Sequence, residues 1–201
     1  MKVSTTALVV VLLLTLWSCD RQDVSEERLK IFKNYFRAYK NESENQWDYT
    51  RDTVRIWFET KSGEPLLKVK RKRFKGKWVA WDREMNAISY YDSLWYDKAE
   101  NAVTGFFYEN NDFYKLIGKN PTKTIRTYWF DKDNRIPEIL LYWIPEENTT
   151  TSEHLKPIVK WARNYDSLML DRIYKNGNII PSGENARKWK ELLTIYNNYN
   201  N

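Results

Sequence analysis

The chain has 201 residues, with 33 Lys and Arg against 27 Asp and Glu, a formal net charge of +6. Its 10 Trp, 14 Tyr and 8 Phe exclude an intrinsically disordered chain, and its 6 Gly and 6 Pro exclude long flexible linkers. One Cys and one His exclude a disulfide framework and a zinc site built from several His or Cys ligands.

At the amino terminus Lys2 supplies a positive charge, and Ala7 to Leu16 is apolar apart from Thr15. This run is shorter than the roughly 20 residues a membrane-spanning helix needs, and matches a signal-peptide core. Leu16-Trp17-Ser18-Cys19 resembles the lipobox of bacterial lipoproteins, with Trp17 departing from the usual small or aliphatic residue. The resemblance implies cleavage after residue 18 and a lipid on Cys19. It also implies attachment to a membrane of the cell envelope, facing the periplasm or the cell exterior. Lipidation would remove the reactive thiol that an odd cysteine leaves outside the cytoplasm. Residues 19–24 then read as a tether and 25–201 as one domain.

Ser25 is expected to cap a helix whose Leu29, Phe32, Phe36 and Tyr39 form one apolar stripe, fading over Asn41 to Gln46. From Thr53 the period becomes two. Val54, Ile56 and Phe58 alternate with Arg55, Trp57 and Glu59, Ser62-Gly63 offers a turn, and Leu67 and Val69 alternate with lysines. That reads as a β-hairpin over 53–74, with a short helix over 50–60 as the alternative. Further strands are expected at Trp78 to Asp82, Ala87 to Tyr96 and Ala102 to Leu116. Thr124 to Phe130 and Arg135 to Ile144 form a hairpin. A turn centred on Lys132-Asp133 puts Trp129 opposite Ile136, Thr127 opposite Glu138 and Ile125 opposite Leu140. Leu155, Ile158, Val159, Ala162, Tyr165 and Met169 recur at helical spacing, with Pro157 expected in the first turn. A turn follows at Asn176-Gly177-Asn178. Ser182 then caps a last helix carrying Ala186, Trp189, Leu193 and Tyr196. Helix, antiparallel strands, then helices make an α+β class without βαβ alternation.

Three segments carry a family resemblance: Lys77 to Asp82, Val103 to Glu109, and Tyr128 to Ile136. Together they resemble the sheet of NTF2-like (SnoaL-like) domains, as found in bacterial lipoproteins of unassigned function. Asn134 stands where the family more often has Gly, a left-handed position that Asn tolerates. The resemblance implies an N-terminal helix on a curved antiparallel sheet, the NTF2-like or cystatin-like cone. The carboxy-terminal helices are additional to it. It also implies a cavity for a small apolar or amphipathic ligand and sheets that pair into a homodimer. The family hosts isomerases, dehydratases, cyclases and binding modules, so fold alone does not choose among them.

No G-x-S-x-G, P-loop, second thiol or other cofactor or metal motif appears. His154, beside Glu153, reads as a solvent-exposed helix-edge residue. Two acid-bearing aromatic clusters, Trp81-Asp82 and Tyr108-Glu109, could face a cavity, where desolvation would raise a carboxyl pKa toward that of a general base. The alternative is strand ends with solvated acids. Tyr128 and Glu138 on the late hairpin are further pocket candidates, since alternation does not say which face points inward. Residues 68–77 carry seven cations in ten positions. Outside the cytoplasm Lys70, Arg71, Lys72 and Arg73 would meet anionic lipid or a partner protein rather than nucleic acid, or simply protect a sheet edge. The expected function is a lipid-anchored binding or accessory module of the cell envelope. The alternatives are a cofactor-free isomerase or hydro-lyase and a docking module acting through 68–77.

Overall fold

Phe32, Tyr35, Phe36 and Tyr39 fall at spacings of three and four, with Glu26 and Glu27 in the first turn and Arg37 and Lys40 in the last. This segment is helix α1 (Val24–Lys40). Ser25, expected as the cap, lies inside the first turn instead. The computed structural model describes residues 24–41, 44–59, 67–70 and 77–200. Cys19, the Ser62-Gly63 turn and Arg71, Lys72 and Arg73 lie outside the described residues. Among the described residues no helix is long and apolar enough to cross a membrane.

A 3-10 helix (Glu44–Tyr49) leads into β1 (Thr50–Phe58), which pairs antiparallel with β2 (Leu67–Lys70), Val54 opposite Val69. The hairpin reading holds for these two strands; the helical alternative does not. With β3 (Ile88–Asp97), β4 (Ala102–Asn110), β5 (Thr122–Trp129) and β6 (Ile136–Trp143), the sheet has the order β2-β1-β6-β5-β4-β3. All neighbours are antiparallel except β1 and β6, which run parallel. The α+β class is the one expected: an N-terminal helix, a curved, largely antiparallel sheet, and carboxy-terminal helices.

Three strand expectations need correction. Trp78 to Asp82 is part of helix α2 (Lys77–Glu84), because Trp78, Trp81 and Met85 repeat at three and four and bury Trp81 and Met85 together. Ala102 to Leu116 is a strand only to Asn110. Asn111 then accepts a hydrogen bond from the Tyr114 amide at 2.7 Å and caps α3 (Asp112–Leu116). The β5–β6 register is displaced by two residues, with Trp129 opposite Glu138, Thr127 opposite Leu140 and Ile125 opposite Tyr142. The longer turn, closed by Asp131 and Arg135 with Asn134 at φ 61°, accounts for the shift.

The carboxy-terminal part forms a helical lobe. Thr150 and Glu153 make a capping box at the start of α4 (Thr151–Tyr165), so Pro157 falls in the helix interior rather than its first turn. The stripe expected to continue to Met169 breaks at Asp166, whose side chain caps α5 (Ser167–Ile173). Asn176 and Gly177, both at positive φ, turn the hairpin of β7 (Tyr174–Lys175) and β8 (Asn178–Ile179). Ser182 Oγ accepts from the Asn185 amide at 3.0 Å at the start of α6 (Gly183–Asn200), as expected of a cap. His154 is half-buried rather than exposed. Its Nδ1 donates to the Ile117 carbonyl at 3.1 Å, and its Nε2 meets the Thr149 hydroxyl at 2.8 Å.

The described residues hold two hydrophobic cores. One joins α1 to the sheet through Phe32, Phe36, Val103, Phe107 and Ile136. The other, at the end of the sheet where β4 finishes, joins α2 to α6 through Trp81, Met85, Phe113, Leu170 and Trp189. Each fully buried large side chain stabilises by roughly 1.5–3 kcal/mol. At the far end of the sheet Arg28 fixes the start of α1. Its Nε donates to Asn101 Oδ1 at 3.1 Å, Nη1 donates to Asn134 Oδ1, and the guanidinium lies 5.3 Å from the Phe130 ring centre. Helix α1 therefore runs from the β3–β4 and β5–β6 turns toward the helical lobe, where it ends beside Tyr39.

Candidate functional site

Along β5 the side chains of Thr122, Thr124, Arg126 and Tyr128 are buried, while Lys123, Ile125, Thr127 and Trp129 lie on the other face. Register pairs Gly105 with Arg126 and Glu109 with Thr122, so β4 presents Gly105, Phe107 and Glu109 on the same inner face. Helix α1 covers that face incompletely and leaves a cavity of about 180 Å³. Tyr35 and Tyr39 come to it from α1, Gln46 from the 3-10 helix, Thr50 from β1, and Arg126 and Tyr128 from β5. Val54, Ile56 and Ile139 complete an apolar wall.

The cavity is organised around Arg126, whose side chain is only 5% exposed. Its Nη2 donates to Glu109 Oε1 at 2.6 Å and its Nε to Thr124 Oγ1 at 3.0 Å; the guanidinium lies 5.1 Å from the Phe107 ring centre. Burial pulls its pKa down, but the charge of Glu109, the neighbouring Tyr128 and the Glu109 hydrogen bond more than offset this. The guanidinium is therefore held charged. Burial raises the phenol pKa of Tyr35 and of Tyr128. Burial first, and the charge of Glu109 second, push Tyr39 up to about 12. All three phenols keep their protons at ordinary pH and can donate. Thr50 is 3% exposed, and its Oγ1 has no hydrogen-bond partner among the described residues. Leaving a buried hydroxyl unsatisfied costs about 1–3 kcal/mol, which a group inside the cavity would recover.

A second cleft, of about 570 Å³, lies between the sheet end and the helical lobe, walled by Trp78, Trp81, Asp82, Ser89 and Tyr114. It shares Tyr39 and Glu109 with the smaller cavity, so the Glu109–Arg126 pair stands where the two spaces meet. Ser89 Oγ is buried there without a partner among the described residues. Nearby, Lys119 is 5% exposed. It donates to Thr122 Oγ1 at 2.6 Å and sits 4.0 Å from the Tyr114 ring centre, and burial lowers its pKa against the opposing charge of Glu109.

The six pocket candidates divide. Tyr128 lines the small cavity and Glu109 lines both. Trp81 and Asp82 border only the larger cleft, Trp81 mainly as core against Phe113 and Asp82 as an exposed residue of α2. Tyr108 and Glu138 belong to the outer face, which corrects their placement in a pocket. Tyr108 stacks on Tyr90 at 5.1 Å and donates to Asp92 Oδ2 at 2.9 Å, and Glu138 forms an ion pair with Arg55. The physical reason is parity, because alternate residues of a strand point to opposite faces. In the basic stretch Lys70 is exposed on β2. Arg126, Tyr35, Tyr39, Gln46 and Thr50 were not among the sequence candidates. The alternation of Thr122, Thr124, Arg126 and Tyr128 was the available signal for the first of them.

No protein-family model matches the chain, and no curated protein matches it. Among solved structures it is similar to a computationally designed 17-OHP binder. Identity there is 14% and the TM-score 0.47, over 64% of this chain and 100% of that one. It is similar to RV0760c from Mycobacterium tuberculosis at 14% identity and TM-score 0.46, over 61% of this chain and 98% of that one. The epoxide hydrolase/cyclase-like enzyme SalBIII of salinomycin pyran-ring formation follows at 11% identity and TM-score 0.44, over 61% and 94%.

Proposed function

We propose that this protein is a small-ligand binding module of the NTF2-like type, lipid-anchored in the cell envelope through Cys19. The observation that carries the binding role is the wall of the cavity of about 180 Å³, where a buried cation, three phenols and the Thr50 hydroxyl, without a partner among the described residues, converge among apolar side chains. Polar groups converging in a mostly apolar pocket are the general mark of a ligand site. An apolar cavity of about 150 Å³ holds a benzene-sized molecule, so this one fits a single ring. The lipobox sequence supports the anchor.

Phenol is a suitable neutral probe. Titrating it into the full chain in detergent should give saturable binding, and Thr50→Trp, whose ring takes up most of the cavity, should abolish it. Equal binding to the filled variant, or none up to about 10 mM, would overturn the reading. The cofactor-free isomerase or hydro-lyase alternative needs a carboxylate at the cavity, and Glu109 supplies one. On that reading Glu109→Gln would abolish turnover of an enolisable ketone and leave phenol binding intact.

A further inference from the structure

The ion pair beside the cavity is lopsided. Arg126 is 5% exposed, whereas the Glu109 side chain is 42% exposed and also borders the larger cleft. A buried cation stripped of its counter-charge is strongly disfavoured, but a carboxylate released into water is readily hydrated. Arg126 therefore requires an anion, yet not Glu109 in particular. The neighbouring hydroxyls of Tyr35, Tyr39, Tyr128 and Thr50 can all donate, and the phenols stay protonated, so the cavity is matched to a ligand rich in acceptor oxygens. The planar guanidinium is also shaped to receive two carboxylate oxygens at once.

Resting on the reading of this cavity as a ligand site, we propose that its ligand is a compact carboxylate, whose carboxyl group displaces that of Glu109 from Arg126. The body of the ligand lies against Val54, Ile56 and Ile139, and Glu109 swings toward the larger cleft. Glu109 is thus the occupant of an anion position that the ligand takes over. On the scale by which about 150 Å³ holds benzene, the cavity takes about seven non-hydrogen atoms, so the ring of a molecule such as benzoate fills it while its carboxyl takes the place that Glu109 vacates.

Benzoate, benzamide and phenol titrated calorimetrically into the full chain in detergent test this exchange. Benzoate should bind about tenfold more tightly than benzamide, which has the same shape without the charge. Glu109→Gln, which removes the competing carboxylate, should tighten benzoate about tenfold relative to phenol measured on the same variant. Should that variant not fold, Glu109→Asp, with the charge kept but its reach shortened, should tighten benzoate in the same direction. If benzoate binds no better than benzamide, or if the Glu109 variants leave it unchanged or weaker, the exchange is wrong. Phenol binding that survives such a result keeps the cavity as a ligand site, whereas its loss removes both proposals.

Discussion

Tyr39 borders both cavities, and its phenol is pushed up to about 12 by burial and then by the charge of Glu109. In an unfolded chain a tyrosine titrates near ~10, so the folded protein holds this proton more tightly. The resulting contribution to stability is fully present below about pH 10 and is lost as the pH rises toward 12. Tyr39→Phe should remove part of the alkaline fall in stability, at most about 3 kcal/mol, while Tyr35, Tyr128 and Tyr114, also raised by burial, add to the rest. Urea unfolding between pH 9 and 12 reads this directly, at about equal steps on either side of the free phenol value. An identical pH profile in wild type and variant would mean that the Tyr39 hydroxyl is solvated.

Strand β4 depends on Gly105 for its fit between β3 and β5. A Cβ at that position would lie 2.4 Å from the Ser93 carbonyl oxygen and 2.6 Å from Leu94 Cδ2, and neither contact is tolerable without movement. Gly105→Ala is expected to cost about 1–3 kcal/mol and lower Tm by several degrees; an unchanged Tm would show that β3 yields freely. Strands and helices with a strong period were legible in sequence. The α1 stripe, the alternation of β1, the Asn176-Gly177 turn and the Ser182 cap are local and follow from side-chain spacing. Segment 77–84 was not, because Trp78 to Asp82 is too short to show a period until Met85 is counted. The hairpin slip of two residues preserved faces, since only an odd shift exchanges them, and so Tyr128 and Glu138 stay on opposite sides in either register. The site was legible only in fragments. An inward-facing row of Thr, Thr, Arg and Tyr, of which Arg126 and Tyr128 line the cavity, looks like a solvent face in sequence. Gln46 and Thr50 join the wall of the cavity through non-local packing, the 3-10 helix against α1 and β1 alongside β6.

At the scale of the molecule, the cleft lies between two hydrophobic cores, the helical lobe on one side and the sheet end with the finish of α1 on the other. If the chain is held by a lipid, Cys19→Ser should move it from the membrane fraction to the soluble fraction. Retention of that variant on membranes in high salt would remove the anchor from the proposal and leave the basic stretch around Lys70 as the membrane contact. The Arg28 clamp gives such an anchor a direction. It pins the beginning of α1 to the two turns at the end of the sheet farthest from the lobe, and the 17-residue helix then extends about 25 Å before it meets the cleft. In a molecule leashed ahead of α1, the cleft and the Tyr39 that borders it would thus stand about a helix length from the leash, and a ligand there would be held away from the lipid rather than within it.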